Sequence, residues 1–192
     1  PYLLPAVLGD FAHKFPRVEL VIQEDTTARL LKMLAAFEID LALASDPLED
    51  SRLETTTLFT EELVLALPGA HPLTRKRAIA VSDLEGERVI VMKEGHCLGD
   101  QVLRFCDRRD LRPNITFRSA QLETIQALIQ AGLGISLIPA MAVRADQPGA
   151  PAYRPLQAPK PSRKVLAVWL KQRPPSRAAA EFLKAVKARF GR

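Results

Sequence analysis

Apolar positions recur in two rhythms along this chain, and they alternate. Leu4, Val7, Leu8, Phe11, Ala12 and Phe15 fall at i, i+3, i+4 spacing, which predicts an amphipathic helix over 1–15 ended by Pro16. Val18–Gln23 then has the length and β-branched content of a strand. Thr26 or Thr27 is placed to cap a helix through Leu30, Leu31, Leu34 and Phe37, before a second strand-length run, Ile39–Ala44. This order predicts a β-α-β unit with parallel strands and a right-handed crossover.

Two adjacent apolar runs, Leu53–Phe59 and Glu62–Leu67, precede a turn at 68–72 and a single helical turn at Ser82–Gly86. The pattern then predicts a strand at Arg88–Met92, a helix at Cys97–Arg108 and a strand at Ile115–Arg118. A helix at Leu122–Ala131, stopped by Gly132, and a strand at Gly134–Ile138, stopped by Pro139, follow. Residues 144–162 hold five prolines and read as a mostly irregular connection. Val165–Leu170 reads as a strand and Arg177–Phe190 as a terminal helix, with Ala179, Phe182, Leu183, Val186 and Phe190 on one side.

Such alternation implies layered α/β architecture. The break at Phe59–Glu61 and the proline-rich stretch suggest two crossings of the chain between Rossmann-like subdomains. These are 1–59 plus 165–192, and 60–164, with a cleft between the lobes as the default ligand site.

Composition adds exclusions. At 192 residues, 47% hydrophobic and 26% charged, the chain is an ordinary globular one with no membrane-length apolar run. It opens on Pro1 without an initiator Met, which reads as a fragment or a processed product. The net charge of +5 is uneven: residues 1–50 carry nine acids against four bases, and residues 163–192 nine bases against Glu181 alone. Those bases follow the period of an amphipathic helix and read as its solvated face. No zinc-finger, RNP or basic-zipper pattern accompanies them, so nucleic-acid contact is not expected of these residues. Two cysteines make no secreted disulfide framework and suit a reducing, cytoplasmic compartment.

The chemistry concentrates in Glu94-Gly-His-Cys-Leu-Gly-Asp-Gln101, with Cys106 nine residues after Cys97. Cys97 follows a strand and opens a helix, where unpaired N–H groups and the positive end of the dipole favour a thiolate. His96 offers a positive charge or a hydrogen bond, and Asp100, one turn on, a proton acceptor. Cys106 sits beside Arg108 and Arg109, which also favour a thiolate. A free cysteine is otherwise a small buried hydrophobe, and both readings stay open for the pair. His13, His71 and His96 have no ligand-like spacing to either cysteine, so neither metal nor cofactor is expected. Neither a Ser/His/Asp, Walker A nor GxGxxG pattern occurs, and His13 and His71 lack the context of a cysteine hydrolase. An enzyme is not the reading.

The 94–101 motif with its nine-residue cysteine spacing resembles the redox centre of hydrogen-peroxide-sensing LysR-type transcription regulators. Pro1-Tyr-Leu-Leu-Pro5, Ser119-Ala-Gln-Leu-Glu-Thr-Ile125 and Ala131-Gly-Leu-Gly-Ile-Ser-Leu-Ile-Pro139 resemble that family's regulatory domain in the same order, covering essentially the whole chain. The resemblance implies a LysR effector domain built like type II periplasmic binding proteins. It implies that Cys97 is the peroxidatic cysteine, Cys106 its resolving partner, and His96 and Asp100 neighbours of the reactive sulfur. Thr27, with Thr26 beside it, is implied to line the peroxide pocket, with Arg163 or Lys164 as its base. Gly99 stands where a relative has arginine, which removes one source of thiolate stabilisation. The partners implied are hydrogen peroxide, a second copy of the chain, tetramers in the full-length protein, and a reducing dithiol protein for reset. Ala127, Ala131 and Gly132 fall on an implied dimer surface. Promoter DNA is implied through an N-terminal winged helix-turn-helix outside this chain. The competing readings are a LysR-type effector domain for a small metabolite, with structural cysteines, and a transporter's solute-binding protein.

Overall fold

The structure, a computed structural model, describes residues 2–191; Pro1, which the first predicted helix includes, and Arg192 lie outside the described residues. The chain divides into two compact units, 1–60 with 164–192, and 61–163.

In the first unit, helix α1 (Pro5–Lys14) starts at a proline, whose missing N–H is no loss in a first turn, and buries Val7 and Phe11. Phe11 meets Phe182 of the terminal helix edge to face at 5.4 Å. Helix α2 (Thr27–Ala35) follows, with Met33 and Leu34 buried. Strand β1 (Ala42–Ser45) pairs antiparallel with the strand Ser162–Leu170, called β7 below, with Ala42 opposite Val168 and Ser45 opposite Val165. Leu34, Ala42, Ala44, Leu53, Leu166, Val168 and Leu170 form the core here.

The predicted parallel β-α-β unit does not form. Residues 18–23 make no ladder, and Leu20, Val21 and Ile22 are 36, 85 and 50% exposed. The Val18 N–H turns back to the Phe15 carbonyl, and the strand beside β1 is the antiparallel β7. An apolar run has strand propensity, but only a neighbouring edge makes it a strand.

Strand β2 (Leu53–Leu67) is continuous through the predicted break. In the second unit its later residues pair antiparallel with β5 (Ser136–Pro139) and β6 (Ala152–Arg154), so the proline-rich connection contains a strand that the pattern did not predict. Strand β3 (Arg88–Met92) pairs in parallel with β4 (Asn114–Ser119). Helices α3 (Cys97–Asp107) and α4 (Leu122–Gln130) pack on β3. Leu63, Leu65, Ile90, Ile125, Ile129 and Ile138 are almost wholly buried and form the centre of this unit. Strand β7 then leads to α5 (Arg177–Phe190), whose Ser176 cap accepts from the Ala179 N–H and which buries Phe182, Leu183 and Val186.

Candidate functional site

The site is built at the exit of β3. The Lys93 N–H reaches the Ser119 carbonyl at 2.8 Å, extending the ladder one residue past the strand. The chain then reverses at Gly95, whose φ of +88° is left-handed and which a side chain would strain. His96 takes the cap position of α3 with extended backbone, its carbonyl accepting from the Gly99 N–H at 3.0 Å, while its ring makes no capping bond. Cys97 is therefore the first helical residue, half-buried at the positive end of the dipole. Asp100 is exposed in the same turn. His96, Cys97 and Asp100 thus fall within the first turn of α3, where Cys97, unlike Cys106, is half-buried.

Gly99 decides how close that turn lies to the sheet. A Cβ there would sit 2.6 Å from the Met92 carbonyl oxygen. The missing side chain that reads in sequence as a lost arginine is what lets α3 press on β3. Gly99→Ala should therefore destabilise the domain by about 1–3 kcal/mol through overpacking. Urea unfolding of the two proteins measures it.

Cys106 occupies the other end of α3 and is 3% exposed. Leu65, Val89, Val102, Leu111 and Ile135 line its apolar pocket. Burial, with the Asp107 charge adding to it, pushes its thiol up to about 11. This corrects the expectation from Arg108 and Arg109: adjacent in sequence, they are exposed, whereas the sulfur faces inward. The folded thiol keeps its proton to higher pH than the unfolded one, whose ordinary value is 9.0. Its contribution to stability is full below pH 9 and is lost as pH rises through about 11, a loss of roughly 2–3 kcal/mol. Urea midpoints of Cys97→Ser at pH 8 and at pH 11 test that loss.

The two sulfurs are not positioned to bond. Nine residues at ~1.5 Å rise separate the Cα atoms by ~13.5 Å, and nine steps of ~100° put the side chains on opposite faces. Both thiols are free.

The remaining predicted residues are placed as follows. Thr26 is the cap residue of α2 in the first unit, but its hydroxyl makes no capping bond, and Thr27 is the first helical residue. The Arg163 guanidinium is committed to Glu61, with Nη2 and Nε at 2.7 and 2.9 Å from Oε2. Lys164 is exposed, and its backbone N–H donates to Asp46. Sequence reasoning missed Glu61, a buried carboxylate whose Oε1 also accepts from the Met141 N–H at 2.8 Å. The signal was its register: Phe59, Glu61, Leu63 and Leu65 share the buried face of β2.

Among the described residues no group of His, Cys, Asp and Glu is placed to hold a metal ion, and no helix is long and apolar enough to cross a membrane.

Compared with known families, the chain matches the LysR substrate binding domain over residues 1–191. It belongs to that family. The α/β effector-domain class read from the sequence is the fold of LysR substrate-binding domains. The chain is 34% identical over 170 residues to the hydrogen peroxide-inducible genes activator of Pectobacterium carotovorum subsp. carotovorum, covering 88% of this chain and 56% of that protein. It thus spans little more than half the length of that relative. Among solved structures it is similar to the reduced form of the OxyR regulatory domain from Pseudomonas aeruginosa, with TM-score 0.86 and 31% identity, over 98% of this chain and 92% of that one. Against an oxidized form of OxyR the TM-score is 0.80 at 30% identity, over 98% of this chain and 90% of that one.

Proposed function

We propose that this LysR-type domain is the peroxide-sensing regulatory part of a cytoplasmic transcription regulator that switches oxidative-stress genes by a Cys97–Cys106 disulfide. The observation that carries the reading is the asymmetry of the two thiols: Cys97 half-buried at a helix start, in the same turn as His96 and Asp100, and Cys106 buried at the far end of the same helix. The Cys97 thiolate attacks one peroxide oxygen, the O–O bond breaks, and the departing hydroxide is protonated to water. The Cys106 thiolate then attacks the sulfenic sulfur, the S–S bond forms, and the second oxygen leaves as water. Two thiols and one peroxide thus give one disulfide and two waters. Thr26 and Thr27 are the candidate hydroxyl ligands of peroxide that the family resemblance implies, and Arg163 or Lys164 the candidate cation.

The names of the relatives support peroxide as the signal. They also support promoter DNA as the target of the full-length protein; the family resemblance adds a homodimer or tetramer and a dithiol protein that completes the cycle by reduction. Thiol counting during a peroxide titration tests the reading. Two thiols should disappear per peroxide consumed, and loss of none at one equivalent would contradict it. The apolar burial of Cys106 favours a second reading, a metabolite-binding LysR effector domain with structural cysteines.

A further inference from the structure

Among the described residues Glu61 is the only charged residue that is buried, at 7% exposure. A buried ion pair is seldom more stable than well-packed apolar side chains in its place, so stability alone does not account for it. Its place in the sheet does. Strand β2 runs antiparallel to β5 with Leu63 opposite Pro139, so Glu61 falls level with Met141, whose N–H it accepts at 2.8 Å. Strand β5 in turn lies parallel beside β3. The Ile90 N–H donates to the Ile135 carbonyl and the Ile135 N–H to the Arg88 carbonyl, both at 2.8 Å. Counted along that register, Met141 is level with Gly95, in the turn that opens α3 at Cys97. Two strand spacings of about 4.8 Å therefore put the Glu61 backbone ~10 Å across the sheet from that turn.

Resting on the peroxide-sensing reading above, we propose that Glu61 is a positioning residue that holds Arg163 as the cation facing peroxide at Cys97. Arg163 and Lys164 are consecutive on β7, so they point to opposite faces and only one can serve. Arg163 is the one held still. Its Nε and Nη2 both donate to Glu61 Oε2, at 2.9 and 2.7 Å, while Glu61 Oε1 is anchored by the Met141 N–H. That grip leaves the Nη1 side of the guanidinium fork without a bond to the carboxylate, its donors fixed in plane. A donor set in place before reaction needs no rearrangement as charge develops. In the reaction Cys97 ionises and releases its proton, and the thiolate attacks one peroxide oxygen. The O–O bond breaks, its electron pair leaves with the second oxygen as hydroxide, and the released proton converts that hydroxide to water. Arg163 stabilises the hydroxide as it forms and keeps its own protons. Glu61 touches none of the reacting atoms.

The test compares the wild-type domain with E61Q, R163Q and E61Q/R163Q. Loss of the Cys97 thiol is followed by mass with peroxide and, separately, with iodoacetamide, which alkylates the same sulfur without forming hydroxide. E61Q and R163Q should each react roughly tenfold more slowly with peroxide, yet alkylate within about twofold of the wild type. The double variant should be no slower than R163Q, because Glu61 acts only through Arg163. Equal slowing with both reagents in E61Q would mark a merely structural role and overturn the proposal. So would a full peroxide rate in E61Q, or a further loss when E61Q is added to R163Q. Should either single variant fail to fold, E61D and R163K carry the same test: both keep the pair charged, but one draws the carboxylate back by a methylene and the other removes the fork. If wild-type Cys97 is not oxidised, or R163Q keeps the full peroxide rate, the proposal falls because the underlying reading of Cys97 or Arg163 has failed, and those two arms identify that outcome.

Discussion

Cys97→Ser should lose at least roughly 100-fold of the rate of thiol oxidation by peroxide, whereas Cys106→Ser should keep the first step and stop at a sulfenic acid on Cys97. The size of the first effect follows from what remains. Cys106 alone reacts through its thiolate, and with its thiol pushed up to about 11 only ~1 molecule in 10⁴ is ionised at pH 7. An ordinary cysteine with its thiol near 9 is ionised about 100 times more often. Burial in the apolar pocket slows Cys106 further by shutting peroxide out. In Cys106→Ser the half-buried Cys97 and its helix start are untouched, so one thiol disappears and a sulfenic-acid trap labels residue 97. If Cys106→Ser protected Cys97 from oxidation instead, the two roles would be reversed.

Oxidation should also melt α3. Bridged Cα atoms lie within ~7 Å, about half the ~13.5 Å that the intact helix imposes, and the side chains must move to the same side. At least one turn must unwind, and Cys106 must leave the pocket lined by Leu65, Val102 and Ile135. The Gly99 contact on Met92 constrains the start of the helix, so the change falls on the end that carries Cys106. The Arg109 and Leu111 N–H groups now close on the Cys106 carbonyl at 2.9 and 3.1 Å, and these bonds should be lost with the helix. Amide exchange across 94–112 should accelerate by roughly tenfold or more in the oxidised protein, while the buried strands β2 and β5 keep their protection. Such a segment is a two-state element that one covalent bond biases, which is what a switch requires. Equal protection in both states would remove the switch even if the disulfide formed.

The sequence was most legible where a structural period is long and complete. Helix α5 has the predicted bounds Arg177–Phe190, and α3 ends within a residue of its prediction, because apolar residues at i, i+3 and i+4 have few other uses. That Cys97 opens α3 was legible for the same local reason, since a strand, a turn at Gly95 and a helical period follow one another in sequence. What depends on a partner elsewhere was not. Val18–Gln23 has the composition of a strand but no edge to join. Phe59–Glu61 reads as a break, yet β2 runs through it because Arg163 and the Met141 N–H satisfy the buried Glu61 carboxylate. The raised thiol of Cys106 was hidden because helix geometry turns its charged sequence neighbours outward, and linear spacing does not carry that information.

One peroxide should join two sulfurs that the intact helix α3 holds apart. Mass mapping of a non-reducing digest, before and after one equivalent of peroxide, tests it most directly. Separate Cys97 and Cys106 peptides are expected before, and after addition a single linked species two hydrogen atoms lighter than their sum, within one chain. Recovery of both peptides as free thiols, or a link that joins two chains, would contradict it.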